Sequence, residues 1–335
     1  MIIESSAPTR VDLAGGTIDL WPIYLFHPGA TTVNFALSLR ASVRIETRND
    51  RSIVLESLDR GIRLESSLNY IDELRDDPRL ELVSKMVHFF RPATGFHLIA
   101  NSEAPAGAGI SGSSALAIGL IGALNRLVGN RYDERKFITI AANIETTVIK
   151  VPAGFQDYYP AFYGSASCIL FRADGTEREH LQVNPEEIER RFVICYTGEP
   201  RNSGINNWDI FKRHIDGDAD VFEIFERIRE AAQQMRAALL ANDWARVGEV
   251  MRAAYPNRKR LAPGITTPQM DRLVEKAFAS GAEGAKVCGA GGGGCIAFLC
   301  SPERKQELEQ ALAAEQGAEV LQWKVAREGL TVEES

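Results

Sequence analysis

The stretch EAPAGAGISGSSALAIGL, residues 103–120, carries two glycine signatures at once. Gly107, Gly109 and Gly112 spell G-x-G-x-x-G, a dinucleotide-binding pattern. Gly107 to Gly112 followed by Ser113 and Ser114 have nearly the spacing of a P-loop, with serine where its lysine should stand. A dinucleotide site needs strand, glycine turn, helix and then a second strand that ends in an acid about 20 residues on. Asp133 lies near that distance, but ALAIGLIGALNRLVGNRYDERKF (115–137) reads helix, turn, helix. The dinucleotide reading fails on that context. What remains suits phosphate without a lysine. Small residues let backbone approach an anion. Successive N–H groups and the positive end of the following helix then favour it. Ser111, Ser113 and Ser114 can donate to phosphate or ligate Mg2+. Taken alone, the loop is also compatible with a plain glycine turn before a buried helix.

The chain has 335 residues, which predicts two domains. Hydrophobic residues at 45% and charged residues at 25% are those of a globular enzyme. A net charge of -7 argues against a nucleic-acid partner, which would show a basic excess. The five cysteines are scattered without a C-x-x-C pair, and the five histidines without H-E-x-x-H. Neither a disulfide framework nor a zinc site is expected, and a reducing cytoplasm fits. MIIESSAPTR lacks the order of a signal peptide. The apolar run Ala115 to Leu124 is too short for a membrane span, so no membrane partner is expected.

Strands are predicted in the first 60 residues, at GFHLIANSE and at ASCILFRAD; helices at LELVSKMVHFF, from Ser113 to Leu127, and at ERKFITIAANIETTVI. VPAGFQDYYPAFYGS reads as a loop or short turn. The polar stretch around 175–190 predicts a boundary dividing the chain into 1–180 and 181–335. Beyond it the order is strand FVICYTG, long helices over 219–257, a helix capped by Thr267, two strands around a glycine loop, a helix and the strand AEVLQWKVA. That order is ferredoxin-like. All four tryptophans, Trp21, Trp208, Trp244 and Trp323, are expected to pack internally, Trp208 being the one that could instead cover a ligand.

Two more segments carry chemistry. In APTRVDLAGGTIDL (7–20), Arg10 sits beside a strand, Gly15 and Gly16 permit close approach, and Thr17 and Asp19 could bind the hydroxyls of a polyol. A surface Arg–Asp pair in a turn is the plainer alternative. In KVCGAGGGGCIAFL (286–299), Gly289, Gly291, Gly292, Gly293 and Gly294 weaken a hairpin entropically. That cost is understandable if another backbone or a ligand must come close; a floppy hairpin is the alternative. Cys288 reads as a small buried residue.

In order and separation these segments resemble the three motifs of the GHMP small-molecule kinases. APTRVDLAGGTID is similar to the sugar-kinase first motif. PAGAGISGSSAL, which begins at Pro105, resembles the phosphate loop P-x-G-x-G-L-G-S-S-S-A. KVCGAGGGG resembles the third motif K-x-x-G-A-G-G-G. Within the family the likeness is strongest to the bacterial D-glycero-D-manno-heptose 7-phosphate kinases and related anomeric sugar kinases, through AGFQDYYPAFYGS, YTGEPRNSG and GITTPQMDRLVEKAFASGAEGAKVCGAGGGG. The resemblance implies an α+β, two-domain fold: a ribosomal-protein-S5-like N-terminal domain and a ferredoxin-like C-terminal domain, with ATP in the cleft. It implies Asp157 as base or electrostatic partner of the attacking hydroxyl and Arg10 as the cation steadying Asp157 and the moving phosphoryl group. Glu145 with Ser113 or Ser114 would hold Mg2+. Pro105, Gly107, Gly109, Ser111, Gly112, Gly289, Gly291 and Gly292 would hold the nucleotide. Gly16, Thr17, Asp19, Gln156, Tyr158 and Arg201 would face a sugar or sugar phosphate.

The physics suits these roles. Phosphoryl transfer asks mainly for positioning and charge neutralisation, and a carboxylate, a hydroxyl, phosphate oxygens and waters suit Mg2+. An Asp beside an Arg has a depressed pKa and is a weak base, so orientation would be much of its work. There are departures too. Phe155 stands where the heptose kinases often carry Lys, Tyr158 where they carry Gln, and Thr17 where they carry Gly or His. The lost lysine fits a neutral or differently shaped acceptor. A phosphorylated one would need another cation, such as Arg201. A ligand sensor without turnover on the same scaffold, and a dehydrogenase using G-x-G-x-x-G, are the competing classes.

Overall fold

The structure, a computed structural model, describes residues 1–201 and 207–335. The end of YTGEPRNSG, residues 202–204, lies outside the described residues. Twelve strands form two sheets among the described residues. The first takes β1 (Ile2–Ala14), β2 (Thr31–Arg48), β3 (Ser52–Ser57), β4 (Ile62–Ser67), β5 (Gly95–Ser102), β6 (Ala166–Arg172) and β7 (Gly175–His180). The second takes β8 (Phe192–Tyr196), β9 (Ala282–Val287), β10 (Cys295–Cys300) and β11 (Glu319–Val320), while β12 (Thr331–Glu334) returns to the first. The helices are α1 (Ile71–Leu74), α2 (Glu81–Phe90), α3 (Gly112–Leu127), α4 (Phe137–Ile149), α5 (Tyr158–Tyr163), α6 (Pro185–Arg191), α7 (Asn207–Ile215), α8 (Ala219–Leu240), α9 (Trp244–Leu261), α10 (Pro268–Ala279) and α11 (Lys305–Ala313).

The ribbon of β1 and β2 is the spine. Its register shifts between Pro8 and Thr9. Proline has no N–H for the ladder and is tolerated at such irregularities. The bend divides the ribbon's work. Before it, β1 pairs with residues 40–46 of β2, and after it with residues 33–37. In the second half Val11 and Leu13 enter a core cluster, and Arg10 and Asp12 share the opposite face, as the two-residue strand period requires. Helix α3 lies against this ribbon and is buried on nearly all sides, which explains its unbroken apolar run.

The second sheet has the order β11-β8-β10-β9, all antiparallel, which is the ferredoxin-like arrangement expected from the element order. Four details differ from the sequence reading. The sequence reading has no strand at 331–334, yet β12 pairs antiparallel with β1 and ties the end of the stretch 181–335 to the stretch 1–180. Leu330 and Val332 fix it there by closing on Gly122 of α3, where an added Cβ would lie 2.9 Å from Val332. The polar stretch read as a boundary contains β7, an edge strand paired with β6, and edge strands carry charge as a rule. The expected loop after residue 151 contains α5; Pro160 is its third residue, where no intrahelical N–H bond is lost. The last predicted strand shrinks to Glu319 and Val320.

Candidate active site

The end of β1, the start of α3, α4, the turn into α5, the end of α9 and the loop after β9 converge on one cavity of about 270 Å³. Arg10 is 2% exposed and donates from Nε (2.9 Å) and Nη2 (2.7 Å) to Oδ1 of Asp157, and from Nη1 to the carbonyl of Gly109 (3.1 Å). Burial works to lower the pKa of Arg10, but Asp157 and Asp12 outweigh it and hold the guanidinium charged. Asp157 stands at the N-terminal boundary of α5, and its side chain is 25% exposed.

Glu145 is a buried carboxylate on α4. It accepts hydrogen bonds from Ser113 Oγ (2.7 Å), Ser114 Oγ (3.3 Å) and the Tyr158 hydroxyl (2.5 Å). Burial raises its pKa against the pull of those donors. Asp19 is likewise buried and is pushed up to about 6, first by burial and then by the charge of Asp157. Its carboxylate accepts from the N–H groups of Thr17 (3.1 Å) and Gln156 (3.0 Å). Gly154 is required by that packing, since a Cβ there would lie 2.1 Å from Asp19 Oδ2.

The residues expected at the site divide into two groups. Arg10, Gly16, Thr17, Asp19, Ser113, Ser114, Glu145, Gln156, Asp157, Tyr158, Arg201 and Gly289 all line the cavity. Tyr158 spends its hydroxyl on Glu145, so it braces the carboxylate. Pro105, Gly107, Gly109, Ser111, Gly112, Gly291 and Gly292 do not line it. Instead, several glycines of the two loops pack on protein backbone. A Cβ on Gly109 would meet the carbonyl of Cys288 at 2.8 Å, one on Gly294 the carbonyl of Ala108 at 2.7 Å, and one on Gly291 the carbonyl of Ile265 at 2.4 Å. The glycine cost thus goes at least partly to joining the two domains. Ser111 has φ +59 and a buried hydroxyl with no hydrogen-bond partner among the described residues, at the start of α3.

Three functional candidates escaped the sequence reading. Asp12 accepts from Lys286 Nζ (2.7 Å) and from the N–H of Gly289 (3.3 Å), and the charges of Lys286 and Arg10 hold its carboxyl below the usual range despite burial. The signal was present: Asp12 is two residues from Arg10 on one strand, and Lys286 is a lone cation in an apolar strand. The third is Arg258 on α9, which donates to Thr17 Oγ1 (2.5 Å). Its stretch NRKRL ends a helix, where basic residues are ordinary. Trp21 and Trp208 are 62% and 53% exposed, so the expectation that they pack internally fails for both. Cys288 is fully buried and burial pushes its thiol up to about 12, leaving a small packing residue.

Among the described residues no three of His, Cys, Asp and Glu are placed to hold a metal ion by themselves. Glu145 with two serine hydroxyls is a hard-oxygen donor set of the kind Mg2+ accepts when phosphate oxygens and waters complete its shell.

A buried Arg–Asp pair and a serine-bound carboxylate share one cavity beside a glycine-built domain junction, an arrangement suited to small-molecule phosphoryl transfer. The comparisons agree. The profiles for the GHMP kinases N terminal domain and the GHMP kinases C terminal match residues 81–165 and 235–319, and the chain belongs to the GHMP kinase family. It is 26% identical to the D-glycero-alpha-D-manno-heptose 7-phosphate kinase of Campylobacter jejuni, over 94% of each chain. It is 25% identical to the mevalonate kinase of Pyrococcus furiosus, over 100% of this chain and 99% of the relative. Its fold matches that of a D-glycero-D-manno-heptose 1-phosphate kinase from Bacteroides thetaiotaomicron, with TM-score 0.79, 22% identity and 99% of each chain covered. No helix among the described residues is long and apolar enough to cross a membrane.

Proposed function

We propose that the protein transfers the γ-phosphoryl group of ATP to a hydroxyl of a sugar or sugar phosphate, with Mg2+. The Campylobacter relative's name motivates the anomeric hydroxyl of a heptose 7-phosphate as one candidate acceptor. The observation that carries the reading is that the Arg10–Asp157 pair and the Glu145–Ser113–Ser114 group face the same cavity.

Asp157 orients the attacking hydroxyl and draws on its proton. Arg10 holds that carboxylate in place and faces the moving phosphoryl group. Glu145, Ser113 and Ser114 would hold Mg2+, which when bound supplies charge neutralisation at the phosphates. The N–H groups of Ser113 and Ser114, in the first turn of α3 and at the cavity, suit phosphate oxygens. Asp19, Thr17 and Gln156 form the acceptor side.

The test incubates the protein with ATP, Mg2+ and a panel of sugars and sugar phosphates, reads ADP release, and locates the phosphorylated position by phosphorus NMR. Acceptor-dependent ADP release is expected. Binding without ADP release across a broad panel would instead identify a ligand sensor on the kinase scaffold.

A further inference from the structure

Arg258 is 9% exposed, yet no carboxylate among the described residues lies within ion-pair distance of it. Its acceptors are all neutral: Thr17 Oγ1 at 2.5 Å and the carbonyls of Gly289 (3.2 Å) and Ala290 (3.4 Å). Its Nε–H is buried and has no acceptor among the described residues. Two other cations of the site differ, since Arg10 pairs with Asp157 and Lys286 with Asp12. A buried charge without a paired counterion is costly. Asp12 and Asp19 act on Arg258 only from beyond ion-pair distance, and burial outweighs them and pulls its pKa down. The residue lines the cavity, so a ligand can supply the missing anion.

Its place within the cavity indicates which ligand. Arg201 lies against Gly109 and Gly289, where the two glycine loops meet. Arg258 is attached to Thr17, whose N–H is bound by Asp19 and whose neighbour Gly16 touches Gln156, on the acceptor side. Thr17 has φ +85, a left-handed conformation that a β-branched residue adopts only under constraint. Asp19 and Arg258 supply that constraint from opposite domains. Phe155 contributes nothing to the cavity wall, being turned into the core.

We infer that Arg258 is the residue that selects the acceptor, its guanidinium taking an anionic oxygen group, a phosphate ester or a carboxylate, on the molecule to be phosphorylated. A guanidinium suits either, because its planar fork matches their oxygens. This assignment rests on the kinase reading for its kinetic arm and is independent of it for its binding arm.

The experiment uses R258Q and R258K with matched acceptors: a neutral sugar, its terminal phosphate ester and its uronic acid. For R258Q the ratio of kcat/KM for the ester to that for the neutral sugar is expected to fall roughly 10- to 100-fold, with partial recovery in R258K. A fall confined to the uronic acid would assign a carboxylate instead. An unchanged ratio, or KM for ATP rising in step with every acceptor, would overturn the proposal in favour of a donor-side or purely junctional role. If the wild type turns over none of these sugars, calorimetry with the sugar phosphate and uronic acid alone decides. Binding by the wild type that weakens at least about tenfold in R258Q, a difference of about 1.4 kcal/mol, upholds it. No binding, or equal binding, refutes it. Melting curves of both variants establish that they are folded.

Discussion

Arg10 binds Asp157 through two nitrogens on one carboxylate oxygen, Oδ1, while Oδ2 takes no hydrogen bond from a described residue. That asymmetry leaves one oxygen for an acceptor hydroxyl and ties the other to a fixed cation. For D157A, kcat is expected to fall about 10²- to 10⁴-fold, the range for a positioned proton-transfer group. ATP affinity, measured by calorimetry, should change little. Turnover retained by D157A would remove Asp157 from the proposed role.

Asp19 makes the site pH-dependent. Its folded pKa of about 6 lies above the ordinary 3.8 because of burial and then Asp157. Below 3.8 both folded and unfolded forms are protonated. Between there and 6 the folded form keeps a proton the unfolded form has lost, so this contribution to stability declines as pH rises through 6. The loss is on the order of 3 kcal/mol at about 1.36 kcal/mol per pKa unit. D19N should melt higher than wild type at pH 7.5 and lose that advantage near pH 4. Ionised Asp19 is the better acceptor for sugar hydroxyls, so kcat/KM for the sugar should rise through pH 6, a step absent in D19N. A pH profile with the same step in D19N would assign the ionisation elsewhere.

Part of this site is legible in the sequence because it is local. Arg10, Asp19 and Ser113 sit in short stretches whose glycines and hydroxyls announce phosphate and polyol chemistry, whereas Asp157 and Glu145 stand out only through the family resemblance. The ferredoxin-like order followed from alternating helix and strand patterns. What could not be read was non-local. Nothing in NRKRL says that Arg258 crosses to Thr17, and nothing in TVEES says that the chain end pairs with β1. The glycine run 289–294 announced close approach, but only the packing shows carbonyls of the partner loops there.

Tyr158 and Ser113 tune Glu145 by donating to its two oxygens. Y158F removes a donor from a buried carboxylate, a change of about 1–3 kcal/mol. The Mg2+ concentration for half-maximal rate should therefore rise severalfold in Y158F and in S113A, with kcat at saturating Mg2+ largely kept. Unchanged Mg2+ dependence in both variants would detach this carboxylate from the metal.

The glycine junction can be tested apart from any ligand. Gly294 has φ +84, and a Cβ there would lie 2.7 Å from the carbonyl of Ala108, the oxygen that accepts from the N–H of Cys295. Gly129 has a similar φ of +75 with nothing within 4 Å. G129A thus measures the conformational penalty alone, about 1–2 kcal/mol. G294A adds the collision of two backbone segments from different domains, about 1–3 kcal/mol more by analogy with overpacked cores. Chemical denaturation should show G294A the less stable by that margin, and its kcat should fall while that of G129A stays at the wild-type value. Equal destabilisation would mean that the junction yields freely, and the glycines at 107–109 and 289–294 would then need a bound ligand to explain them.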